Sequence, residues 1–144
     1  MTQLIQLIYA SSAVELFTKQ QLVDLLHEAR THNKAAGITG MLLYRDGNFL
    51  QVLEGEAKAV DALYQGILKD PRHTNVLTIS RREIESRIFH DWEMGFTTIE
   101  DEDIRKYPGF TDFLQKPFTP DYLAENPSRA GVFLETFRND DYMR

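Results

Sequence analysis

Residues 37–55 read GITGMLLYRDGNFLQVLEG. Two apolar runs flank Arg45-Asp46-Gly47, and an Asp-Gly pair between such runs is among the strongest short-range signals for a β-hairpin. Period two within the second run puts Phe49, Gln51 and Leu53 on one face of a strand. Counting the same alternation through the hairpin assigns Leu42, Tyr44, Leu50 and Val52 to the opposite face. Four large apolar groups are more than a bare sheet face usually shows to water, so that side needs a cover. Gln51 is the anomaly. A primary amide has two donors and an acceptor to satisfy, and burial in an apolar run is costly unless something satisfies them.

Working outward, residues 4–10 alternate as a first strand, with Ile5, Leu7 and Tyr9 on one face and Gln6 and Ile8 on the other. Thr18 and Gln21 match a capping box, and Phe17 and Leu22 occupy hydrophobic-staple positions, so the spacing predicts a helix beginning at Thr18. Leu22, Leu25, Leu26, Ala29 and Asn33 recur on its inward face, and Gly37 suits its exit. From Ala57, the residues Val60, Leu63, Tyr64, Ile67 and Leu68 predict a second amphipathic helix, which Asp70-Pro71 should stop. VLTISRREI and WEMGFTTI supply two more strands. The order β-α-β-β-α-β-β predicts an α+β sandwich, with both helices on one face of a mixed or antiparallel sheet. The segment after Pro108 is the expected cover for the other face. Pro108, Pro117 and Pro120 should break it into short turns, before Asn126 caps a helix with Pro127 at its first position and Ala130, Phe133, Leu134 and Phe137 as its stripe.

Composition removes several function classes. The 144 residues suit one domain with a real core. There is no cysteine, which excludes disulfides, thiolate nucleophiles and thiolate metal sites. The net charge of −6 opposes phosphate-dominated nucleic-acid binding, and SRRE at 80–83, the one basic cluster, reads as a solvated strand end. No apolar run approaches the roughly 20 residues of a membrane span, and no basic leader precedes the first strand, so a soluble, cytoplasmic protein is expected. The signatures of nucleophile elbows, P-loops, dinucleotide folds and zinc proteases are all missing. His27 and His32 fall on different helix faces and His73 and His90 stand alone, so no histidine metal site is expected. Glu54 and Glu56, at a strand exit, read as solvated.

Tyr9, Asn33 and Gln51 converge on the apolar face under the helices. Taken singly, a strand tyrosine is ordinarily core, an asparagine at a helix end ordinarily caps it, and Trp92 and Met94 are ordinarily core too. A mid-strand glutamine suits either a structural partner or a ligand. Leaving one such group unsatisfied costs about 1–3 kcal/mol, so they bond to one another or to a polar ligand.

HNKAAGITGMLLYRDGNFLQVLEGE at 32–56 closely resembles the central signature of BLUF domains, blue-light sensors that use FAD. LIYAS at 7–11, LKDPRH at 68–73 and DWEMGF at 91–96 agree in order and spacing. The resemblance covers residues 1–100, with 101–144 as a helical extension packing on the sheet, and is greatest to short single-domain members. It implies a ferredoxin-like fold with the isoalloxazine ring between the two helices. It further implies that Tyr9 is the photochemical donor and that Gln51 lies between Tyr9 and the flavin. Asn33 then holds the ring edge with His32 beside it. Leu25 belongs to the flavin site, and Asp70, Arg72 and His73 meet the pyrimidine side and ribityl-phosphate chain. Trp92 and Met94 are implied as the signalling pair, with Met94 also counted at the flavin. The implied protein is a light sensor without substrate turnover, a homo-oligomer that signals to a separate output protein. A light-independent protein-binding module and a flavin-dependent oxidoreductase are the other readings considered.

Overall fold

The computed structural model describes residues 3–45, 47–89, 95–98 and 119–128. Strands β1 (Leu4–Ala13), β2 (Thr39–Arg45), β3 (Asn48–Glu56), β4 (His73–Glu83) and β5 (Gly95–Thr98) form one sheet in the order β4-β1-β3-β2-β5. The first four are antiparallel neighbours, and β5 joins β2 in parallel, making the sheet mixed. Helices α1 (Lys19–Ala36) and α2 (Ala57–Lys69) connect the strands in the ferredoxin-like manner, and α3 (Pro120–Glu125) lies beyond β5 in sequence.

The helix ends follow their local chemistry. Thr18 is the N-cap of α1, and both halves of its capping box form, an arrangement worth about 1 kcal/mol. Gly37 ends the helix in the left-handed region at φ 70°, and the carbonyl of Asn33 accepts from Ile38 N at 2.9 Å. Backbone groups therefore cap α1, which releases the Asn33 side chain from that task. Asp70 closes α2 immediately before Pro71.

Strands β2 and β3 pair up to Arg45 opposite Asn48, with a two-residue turn between them and Gly47 at φ 83°. Asp46 lies outside the described residues. This register corrects the facing expected for β2. Leu42 pairs with Gln51 and Tyr44 with Phe49, and directly opposed residues share a face. Leu42 and Tyr44 therefore join Ile5, Leu7, Tyr9, Phe49 and Leu53 in the core under the helices, with Leu22, Val60 and Tyr64 packed over them. The opposite face carries Met41, Leu43, Leu50 and Val52, all fully buried. The need for a cover thus holds with a different pair from β2. At about 1.5–3 kcal/mol per buried side chain, exposing this face would be costly.

Helix α3 packs on the sheet against β4, β1 and β3, with Leu123 fully buried. Its N-cap is Thr119, and Pro120, expected as a breaker, is instead its first residue. Asn126 closes this helix, and helical backbone resumes at Pro127 and Ser128, as expected for a helix that Asn126 opens. Pro108, Pro117, Ala130, Phe133, Leu134 and Phe137 lie outside the described residues, as do Trp92 and Met94. Strand β4 starts earlier than the apolar pattern suggested. Polar residues 73–75 enter it through Asn75 at φ 51° and a register shift opposite Ala10 and Ser12.

Candidate functional site

A cavity of about 340 Å³ opens between α1, α2 and the sheet, within the size range of small-molecule sites. Leu25 and Ala29 line it from α1, Leu63, Ile67 and Gly66 from α2, and Leu42 and Phe49 from the sheet. Tyr9, Asn33 and Gln51 line it with polar atoms, and His32, Glu28, Asp70, Arg72 and His73 complete the wall. Eight residues singled out from the sequence, Tyr9, Leu25, His32, Asn33, Gln51, Asp70, Arg72 and His73, therefore meet around one space.

The inner end is polar and buried. Tyr9 and Gln51 are register partners across β1 and β3, so both project toward the helices. Tyr9 is 4% exposed and Gln51 6%, and the Tyr9 Oη donates to Gln51 Oε1. An amide whose oxygen accepts from a phenol turns its Nε2 donor the other way. Asn33 is 1% exposed and lies on the last turns of α1. Burial, followed by Tyr64 and Asp70, pushes the Tyr9 phenol well above its ordinary value, so it is neutral at any physiological pH. The Tyr64 ring lies 5.3 Å from that of Tyr9, and its hydroxyl shares a 2.7 Å hydrogen bond with Thr78 Oγ1.

The mouth is charged and open to water. Arg72 grips Asp70 through Nη2 to Oδ2 at 2.6 Å and Nε to Oδ1 at 3.0 Å, while its backbone N donates to Oδ1 at 2.9 Å. Glu28 stands 3.5 Å from Arg72 Nη1. The hydrogen bonds from Arg72 hold the Asp70 carboxyl below its usual range, and those to Asp70 raise the guanidinium. His32 is exposed at the same rim. His73 is engaged within the protein through both ring nitrogens. Nε2 donates to the Ile67 carbonyl at 2.6 Å, and Nδ1 pairs with Ser11 Oγ at 2.9 Å. It fastens the end of α2 to β1 while lining the cavity.

Sequence reasoning left Phe17, Glu28 and Gly66 out of the site. Phe17 sits edge-on to Phe49 with centroids 5.2 Å apart, and its backbone N donates to Tyr44 Oη at 3.2 Å. Its staple position pointed to helix packing, and only the tertiary fold shows that it borders an opening. Among the described residues, no cluster of histidine and carboxylate groups could hold a metal. No helix among them is long and apolar enough to cross a membrane.

A family model described as sensors of blue-light using FAD, BLUF, matches residues 4–95, well over half the chain. The chain belongs to the BLUF family. Its FAD-binding, blue-light-sensing character follows from that membership. The photoactivated adenylate cyclase subunit alpha of Euglena gracilis is 34% identical over 115 residues, which are 78% of this chain and 11% of that protein. The blue light- and temperature-regulated antirepressor BluF of Escherichia coli strain K12 is 29% identical over 134 residues, 91% of this chain and 32% of that protein. The chain thus spans about a tenth of the first relative and a third of the second. Among solved structures, the ground state of BlsA matches with a TM-score of 0.81 and 32% identity, covering 96% of this chain and 89% of that one. The dark state of the BLUF protein BlrB matches at 0.77 and 28%, covering 96% and 97%.

The BLUF cavity suits the family's cofactor on its own chemistry. Oxidised flavin is a flat, largely apolar ring with a hydrogen-bonding edge. Here apolar walls from two helices and the sheet close on three buried polar side chains, and the charged residues stand where a polar tail would leave.

Proposed function

We propose that this BLUF domain senses blue light through Tyr9 and Gln51 and passes the signal to a separate protein. The observation that carries the reading is the hydrogen bond from Tyr9 Oη to Gln51 Oε1 in the wall of an apolar cavity. Bound FAD supplies a chromophore whose excited state takes up an electron. Tyr9 is the donor in this reading. A phenol buried where its anion is strongly disfavoured keeps its proton in the dark and surrenders it together with an electron. Gln51, able to accept and donate at once, relays the proton; electron and proton then return to Tyr9 and leave Gln51 rotated or tautomerised. Its altered hydrogen bonding to the flavin edge shifts absorption to the red, and dark recovery reverses it.

Around that pair, Leu25 walls the flavin, Asn33 and His32 hold its polar edge, and Asp70, Arg72 and His73 order the mouth. Met94 at the flavin, and Trp92 with Met94 as the outward lever, complete the proposal. Residues 1–100 form the sensor and 101–144 the extension over the sheet, supported by the seating of α3. Output through a separate partner without substrate turnover is supported by the likeness to the antirepressor BluF, and a homo-oligomer is proposed with it. The test is the visible spectrum of purified protein before and after blue light. A flavin band that moves reversibly to the red is expected, and bound flavin with an unchanged spectrum would overturn the reading.

A further inference from the structure

Glu54 was expected to be a solvated carboxylate at a strand exit, and it is wholly buried. It lies three residues beyond Gln51 on β3 and pairs with Gln6, so it projects from the face opposite the cavity. Its Oε1 accepts from the backbone N–H groups of Ile88 at 2.9 Å and Phe89 at 2.7 Å, and its Oε2 accepts from Gln6 Nε2 at 2.8 Å. Gln6 in turn accepts from Arg82 Nε at 3.1 Å. The same residue is held through its backbone. Arg87 Nη1 donates to the Glu54 carbonyl at 2.9 Å and to Thr39 Oγ1 at 3.1 Å, while Nη2 donates to the Gly37 carbonyl at 2.6 Å.

The segment leaving β4 is therefore clasped twice by Glu54 and once by the end of α1, the helix that carries Asn33. A fully buried carboxylate is tolerated only when several donors meet it, and losing them is costlier than never having the charge. Its hydrogen bonds fail steeply with distance, so a displacement of β3 at Gln51 has two outcomes. Residues 88 and 89 follow the strand, or their bonds to Glu54 break. Given the Tyr9–Gln51 reading on which this rests, we infer that Glu54 is a positioning residue for the light response, tying the glutamine strand to the segment that leads toward β5. Gln51 addresses the flavin side of the sheet and Glu54 the other side, so the link crosses the sheet along one strand.

The test compares the parent with Glu54→Gln, which keeps the shape but replaces one acceptor by a donor facing Gln6. The parent should show different hydrogen exchange at the Ile88 and Phe89 amides in light and dark. Glu54→Gln should bind FAD and give the parental red shift, narrow that exchange difference because a neutral amide oxygen holds the two N–H groups more weakly than a carboxylate, and change the dark-recovery rate by about threefold or more. Arg87→Ala leaves the buried carboxylate and its donors in place, so it carries the test if Glu54→Gln does not fold, with a smaller change in recovery. A parent that red-shifts while those amides exchange alike in light and dark, with variants recovering at the parental rate, would overturn the link alone. A parent without a red shift would overturn the flavin reading and the link together.

Discussion

Two hydrogen-bonded pairs border the same cavity under different physics. Tyr9 and Gln51 are neutral, buried and partnered across two central strands. Asp70 and Arg72 are charged, share one turn, and keep side-chain exposures of 26% and 45%. Inside, a lost partner leaves a dry polar atom whose solvation nothing restores. At the mouth, water and salt take over whatever the partner supplied. The inner pair should therefore control photochemistry and much stability, whereas the outer pair should adjust affinity with little effect on either.

Removing the inner amide should do the most. Gln51→Leu is expected to retain flavin, abolish the reversible red shift, and lose about 1–3 kcal/mol because the Tyr9 hydroxyl has lost its acceptor. Visible difference spectra and urea melts read both, and a normal red shift would remove Gln51 from the mechanism. Tyr9→Phe should bind flavin and lose productive photochemistry, and an unaltered photocycle would shift the donor role elsewhere.

The inner pair should also govern the alkaline limb of stability. The Tyr9 phenol titrates higher in the folded chain than its ordinary 10.0, so above that value the unfolded state binds fewer protons. Stability should fall there by up to about 1.4 kcal/mol per pH unit. Urea midpoints across that range should decline less steeply in Tyr9→Phe, and equal slopes would remove Tyr9 as the cause.

The outer pair should matter least. The Asp70 carboxyl is depressed in the folded chain, so its contribution is present above the unfolded value of about 3.9 and lost as pH falls through the lower folded value. Because the pair is exposed, Asp70→Asn should cost no more than about 1 kcal/mol, less in high salt, with the red shift intact. A loss as large as that in Gln51→Leu would erase the distinction between the two pairs.

Much of this was legible in the sequence because local rules acted without competition. Thr18, Gln21 and Gly37 set the ends of α1 through hydrogen bonds within a few residues of each other. The face shared by Tyr9 and Gln51 followed from alternation in two uninterrupted strands. Reading failed where the pattern crosses a join. A two-residue turn sets even-numbered residues of β2 opposite odd-numbered ones of β3, so parity carried through it sent Leu42 and Tyr44 to the wrong face. Thr119-Pro120 carries the same helix-start chemistry as Asn126-Pro127, yet three prolines in one stretch read as breakage. The burial of Glu54 and the engagement of His73 Nδ1 by Ser11 depend on partners far away in sequence, which no local pattern announces.

Gly66 lies inside α2 and borders the cavity, and a Cβ built there would meet no atom within 4 Å. Alanine would therefore enter without a clash and strengthen the helix by about 0.5–1 kcal/mol. The helix forgoes that gain at a position where a methyl group would take up room in the cavity. Seen this way, α2 trades firmness for clearance, and the breadth of the flavin slot is underwritten by a hydrogen atom where every other amino acid would place carbon.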